Sequence, residues 1–269
     1  MGYFADYHLH SACSPDAQTP MRDVAAAALA AGLDEICFTD HVEPADHSGQ
    51  IHYTYDWAAL ERSFRDAQNV WGGKIRMRLG IELGDALRLP AVTEGLLAAA
   101  PELDFVIGST HALPADYGWQ DLCFYDYERE NATRRAQADY LSEVQALADW
   151  GHFNVLGHLT LPVRYAEELH GKHVSFDGFE EEIRAIMRTV IQNGCGIELN
   201  TNRGHTPLPD EKWLRMYRQE GGEIITIGSD AHRPSYVGCA VRERQELLKL
   251  CGFTRFCTFE KRMPLWHEL

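Results

Sequence analysis

Seven short apolar runs rich in β-forming residues recur along the chain, each separated from the next by a longer stretch of helical periodicity. The runs expected as strands are 3–8, 35–40, 76–82, 105–111, 154–158, 196–200 and 223–230, with helices near 19–31, 56–71, 91–99, 127–150, 175–193, 210–220 and 242–250. Alternation at this spacing predicts right-handed βαβ units and a parallel sheet. Seven units in one 269-residue chain suit a closed or nearly closed barrel better than an open sheet. No repeat, low-complexity tract or linker divides the sequence, so a single α/β domain over 1–269 is expected.

The strand ends sharpen this reading. In order they carry His8, Asp40-His41, Glu82, His111, His158, Asn200 and Asp230. Barrel proteins place their chemistry at the C-terminal ends of their strands, and a purely structural chain has no reason to load those ends with nitrogen and oxygen donors. His8 and His10 are two apart, so in extended backbone both imidazoles face the same side and can grip one ion. Gly-Ser-Asp230-Ala-His232 repeats that spacing near the end of the chain. A single His-x-His is weak evidence. Donors at one strand end after another make a metal centre the better explanation, and without sulfur ligands the set suits Zn, Mn or Fe without choosing among them.

These motifs, His-x-His, Thr-Asp-His, a strand-end Glu, strand-end His and Gly-Ser-Asp-Ala-His, resemble those of the PHP (polymerase and histidinol phosphatase) family, in order from residue 6 to 240. The stretch Arg233–Gly238 after the last motif, together with Gly157-His158-Leu, Arg164-Tyr165 and Ile197-Glu-Leu-Asn200-Thr, is similar to the histidinol-phosphate phosphatase branch in particular. The resemblance implies a distorted (β/α)7 TIM-like barrel and three divalent or mixed-valence metal ions. It assigns His8, His10, Glu82 and Asp230 to the first ion, with Glu82 bridging to a second held by His111 and His158. Asp16, His41 and His232 would hold the third; Asp16 rests on the resemblance alone. The implied activity is hydrolysis of a small phosphate monoester, L-histidinol phosphate before others, by a hydroxide bridging two ions. Divalent ions bring a coordinated water towards a pKa of ~7, and Glu82 and Asp230 would be the carboxylates central to that chemistry.

Arginines should complete a phosphate clamp, because a planar guanidinium fits phosphate oxygens in pairs. Arg164 and Arg203, expected in loops at the active face, resemble the phosphate-contacting arginines of that branch, and Arg233 beside His232 is a further candidate. Glu43 and Asp46 after His41, and Asp121 after His111, are placed to meet the cationic groups of histidinol. Where the family commonly shows Gly-His-Leu-Asp, this chain has Thr160.

Composition narrows the alternatives. A formal charge of −15 and the lack of a basic, aromatic-studded stripe disfavour nucleic acid, and with it a nuclease-like sibling. The remaining alternative is a generalist phosphoesterase or phosphodiesterase acting on another small ester or nucleotide. An amidohydrolase barrel also opens with His-x-His, but many of those use a strand-end lysine and no lysine here falls at one. Seven scattered cysteines without a Cys-x-x-Cys pair read as free thiols, and the N-terminus lacks the pattern of a signal peptide. No apolar run approaches the ~18 residues of a membrane span, so a cytoplasmic protein is expected.

Overall fold

The computed structural model describes residues 2–269. Its strands are β1 (Ala5–Leu9), β2 (Glu35–Phe38), β3 (His41–Val42), β4 (Arg76–Gly84), β5 (Phe105–Ser109), β6 (Val155–Leu156), β7 (Gly196–Asn200), β8 (Ile225–Gly228), β9 (Arg255–Glu260) and β10 (Met263–Glu268). The helices are α1 (Met21–Ala30), α2 (Trp57–Trp71), α3 (Pro90–Ala98), α4 (Glu130–Trp150), α5 (Pro162–His170), α6 (Glu180–Gln192), α7 (Glu211–Gln219) and α8 (Val241–Leu250). β1, β2, β4, β5, β6, β7 and β8 lie side by side in that order, and all their pairings are parallel. β8 returns to β1 through a bridge between Leu9 and Ala231, with the Asp230 N–H donating to the His8 carbonyl at 2.8 Å and the His10 N–H to the Ala231 carbonyl at 3.0 Å. The result is a nearly closed seven-stranded α/β barrel.

Burial explains why these runs are strands. β1, β2, β5, β7 and β8 are buried at every position, as expected when a parallel sheet is covered outside by helices and inside by its own side chains. The helices start where local chemistry permits. Asp56 and Asp210 cap the first turns of α2 and α7, and Pro90 and Pro162 occupy first-turn positions that need no N–H donor.

Three elements differ from the sequence expectation, one of them the short β3 that follows the strand expected over 35–40. Residues 162–170 form α5, so Arg164 sits buried in a helix rather than in a loop. Residues 255–268 form the antiparallel hairpin β9–β10, which closes the N-terminal face of the barrel. There the Phe259 N–H donates to the Tyr7 hydroxyl at 2.9 Å, and Phe259 packs on Phe105 with centroids 4.9 Å apart. Beneath the barrel, Glu35 accepts from Tyr3, Tyr7, Arg76 and Arg78. The N-terminal face is thereby sealed, which leaves the C-terminal mouth for chemistry.

Candidate metal centre

Glu82 lies inside β4, its carboxylate buried at the centre of the mouth. Its Oε2 is 3.1 Å from His8 Nε2, 3.4 Å from His10 Nε2 and 3.1 Å from His41 Nδ1. Its Oε1 is 3.1 Å from His111 Nε2 and 2.9 Å from His158 Nε2, and accepts from the Ser109 hydroxyl at 2.6 Å. β1 supplies His8, and β3 pairs His41 beside Glu82 in register. The turns after β5 and β6 supply His111 and His158. β4 ends on Gly84, where a Cβ would fall 2.5 Å from Glu43 Oε1 and 2.8 Å from His111 Nδ1. The absence of a side chain there lets the mouth narrow around the cluster.

Asp230 joins from the turn after β8, in a left-handed conformation (φ 57°) that Asp tolerates better than most residues. Its Oδ1 is 3.6 Å from His8 Nε2 and 3.3 Å from His10 Nε2. At the outer side, Asp16 Oδ2 is 2.9 Å from His232 Nε2 and 3.7 Å from His41 Nε2. His10 and His232 stack with centroids 4.0 Å apart. Donor atoms gather into four overlapping groups: His8, His10 and Glu82; Glu82, His111 and His158; His10, His41 and His232; and His41, Glu43 and His111.

The environment of these groups suits divalent metal. His8 Nε2, His10 Nε2, His41 Nδ1 and Glu82 Oε2 are buried atoms without a hydrogen-bond partner, all crowded around one point. Such orphans are costly in a dry interior, and cations bound among them would satisfy them. Burial, then the neighbouring His232 and His41, hold His10 well below the usual imidazole range, and burial lowers His158 in the same direction. A neutral imidazole keeps the lone pair that ligation needs. Burial pushes the Glu82 and Asp230 carboxyls up, but the imidazoles around both, with Arg164 beside Asp230, outweigh it and hold both well below the usual carboxylate range. His8, His41 and His111 move the other way, His41 to about 9, because the carboxylates around them, Glu82 in each case, overcome their burial.

The remaining candidates divide. Arg164, 4% exposed, reaches the cluster: Nη1 donates to Asp230 Oδ2, Nη2 to Asn200 Oδ1 at 2.7 Å and Nε to Asn202 Oδ1 at 2.8 Å. Three of its five N–H groups are thus committed to the protein and two remain. Arg203 stays at the rim, bonded to Glu168 at 3.1 Å and lying over the Tyr236 ring. Arg233 is exposed, and among the described residues it makes no ion pair. Glu43 is occupied by the cluster, 2.9 Å from His111 Nδ1, and Asp121 accepts from the Cys123 N–H at 2.8 Å, capping a short turn. Asp46 accepts from Ser48 and Gln50 in an exposed loop. The cysteines are all free, and no helix is long and apolar enough to cross a membrane.

Two buried acids, Glu198 and Asp6, and the half-buried Asp85 had no role assigned from the sequence. Glu198 contacts His8 Nδ1 at 2.7 Å. Asp6 accepts from the N–H groups of Ser229 and Gly238, both at 2.8 Å, tying the Asp230 turn to β1, and burial raises it to about 6. Asp85, also raised by burial to about 6, accepts from the His111 and Ala112 N–H groups. Their polarity inside strand runs and strand-end turns was the available signal.

A parallel β/α barrel with a histidine–carboxylate metal centre at its C-terminal mouth is the class that fold and site define. Within it the chain belongs to the PHP domain family, whose profile matches residues 6–202. A histidinol-phosphatase from Lactococcus lactis is 28% identical over 266 residues, covering 94% of this chain and 93% of that protein. A probable histidinol-phosphatase from Thermotoga maritima is 26% identical, covering 92% of each. The crystal structure of the Lactococcus lactis histidinol phosphate phosphatase, complexed with zinc, L-histidinol and phosphate, shares the fold with a TM-score of 0.83 at 24% identity, covering 97% of this chain and 98% of that one.

Proposed function

We propose that residues 1–269 act as one metal-dependent phosphomonoesterase domain whose preferred substrate is L-histidinol phosphate. The observation that carries this reading is the convergence of five imidazoles on the two oxygens of one buried carboxylate, Glu82. The likeness in sequence to proteins named histidinol-phosphatase along nearly the whole chain supports the substrate. Three ions, Zn, Mn or Fe, fit the donors: one on His8, His10, Glu82 and Asp230, one on Glu82, His111 and His158, one on Asp16, His41 and His232. Bound ions would acidify a coordinated water and draw charge from the phosphoryl oxygens.

The chain's own groups do the rest. Glu82 spaces two of the metal positions, because its oxygens face separate sets of imidazoles. Arg164 orients Asp230, and its two uncommitted N–H groups would be available to a phosphate. Arg203 and Arg233 stand further out, where a phosphate entering the mouth passes them. Of the acids expected to meet the cationic end of the substrate, Glu43 is held by His111, which leaves Asp121 as the candidate for that contact.

The test is a comparison of kcat/KM for histidinol phosphate, a nitrophenyl phosphate and several sugar phosphates, with metal content measured on the same sample. A preference above ~100-fold, worth about 2.7 kcal/mol, is expected, as is loss of activity after prolonged chelation. A ratio near one makes the protein a generalist phosphatase. Full turnover of metal-free protein sinks the metal reading.

A further inference from the structure

β7 contributes no residue to any of the four donor groups, yet Glu198 and Asn200 on it are fully buried. A buried carboxylate is costly unless its oxygens are satisfied, and those of Glu198 are satisfied by the cluster. Oε1 lies 2.7 Å from His8 Nδ1. Oε2 accepts the backbone N–H of His158 at 2.8 Å and the Asn200 amide at 3.3 Å. His8 and His158 come from strands far apart in the chain and belong to different donor groups, so one carboxylate spans two metal positions.

We infer that Glu198 is the positioning residue for both. By accepting from Nδ1 of His8 it selects the tautomer whose bare Nε2 faces Glu82, 3.1 Å away. By accepting from the N–H of His158 it holds a backbone turn in the left-handed region (φ 20°), which few side chains adopt unaided. Gly228 makes room for this arrangement, since a Cβ there would lie 2.3 Å from Glu198 Oε1 and 2.4 Å from His8 Cβ. The inference rests on the proposed metal centre, in which His8 and His158 ligate ions.

Glu198→Gln keeps the shape but not the chemistry. Both tasks require an acceptor, and an amide offers one oxygen and one donating NH2. Metal affinity, read by competition with a chelator of known strength, should fall roughly 10- to 100-fold, and activity should return as metal is added in excess. The rise in Tm on metal loading should shrink in step. A purely structural role would instead lower the Tm of the metal-free protein and leave affinity and that rise unchanged, which overturns the inference. Gly228→Ala, which forces the pair apart with the carboxylate intact, should weaken metal binding likewise. Should neither variant fold, nitrogen NMR of the zinc-loaded wild type decides: the proton of His8 belongs on Nδ1, and a proton on Nε2 overturns the assignment. Wild-type affinity in Glu198→Gln removes this inference alone, whereas a wild-type protein that takes up no ion removes the metal centre beneath it as well.

Discussion

Replacing Glu82 by Gln exchanges a carboxylate that serves two sets of imidazoles for an amide that can serve one. Ser109 donates to Oε1 at 2.6 Å, and that bond favours keeping the amide oxygen on this side, near His111 and His158. The NH2 then points at His8 Nε2, His10 Nε2 and His41 Nδ1, between 3.1 and 3.4 Å away, where a ligand atom is needed and a donor is useless. The damage should therefore fall on the position shared by His8, His10 and Asp230. Loss of one charge-assisted contact costs about 1.5–3 kcal/mol, and each 1.4 kcal/mol is tenfold in binding, so that ion should bind roughly 10- to 100-fold more weakly. Turnover should drop by ~10²-fold or more, because in the proposed mechanism the nucleophile and the phosphate site both depend on the spacing of the ions. The assay is ion stoichiometry after desalting, paired with kcat/KM across a metal titration. One ion lost, with partial recovery at high metal, is the expected outcome. A full complement of ions and a wild-type rate would falsify the bridging role of Glu82.

Arg164→Ala should lower kcat/KM by about one to two orders of magnitude, from a lost contact of ~1.5–3 kcal/mol. It should also reduce metal occupancy, because it frees Asp230; unchanged ion content would show that Asp230 needs no anchor. Arg203→Ala, whose guanidinium is held by Glu168 at the rim, should spare the ions and weaken inhibition by inorganic phosphate. Loss of metal from that variant would place Arg203 nearer the centre than its geometry does. Phe259→Ala removes the ring that packs on Phe105 under the barrel, a change that costs about 3–5 kcal/mol in a well-packed core. Thermal unfolding should fall by roughly 6–20 °C; a loss near zero would mean the hairpin merely covers the barrel.

The sequence by itself determined the repeating β/α order and the side of the barrel that carries the chemistry. A parallel barrel brings every strand's C-terminal end to one mouth, so His8, Glu82, His111, His158 and Asp230 were legible as a set although they are scattered along the chain. Strand and helix periods are local, and local patterns survive in one dimension. Asp16 lies outside that logic: it sits in a loop, and only family resemblance marked it.

Tertiary structure alone decided which polar groups serve that set. Glu198 reads in sequence as one polar residue in a buried strand, and its partnership with His8 exists because closure of the barrel leaves only β8 between β7 and β1. Arg164 looked like a loop arginine until Pro162 started a helix that turned it inward onto Asp230, Asn200 and Asn202. Glu43, expected to meet substrate, is drawn to His111 because β3 runs beside β4 where that strand approaches His111. The β9–β10 hairpin is six-residue strands around a tight turn, and its value lies in closing the barrel floor. Donor identity is a property of residues in order, whereas the orientation of a donor is set by contacts between residues far apart in the chain, and no periodicity encodes those.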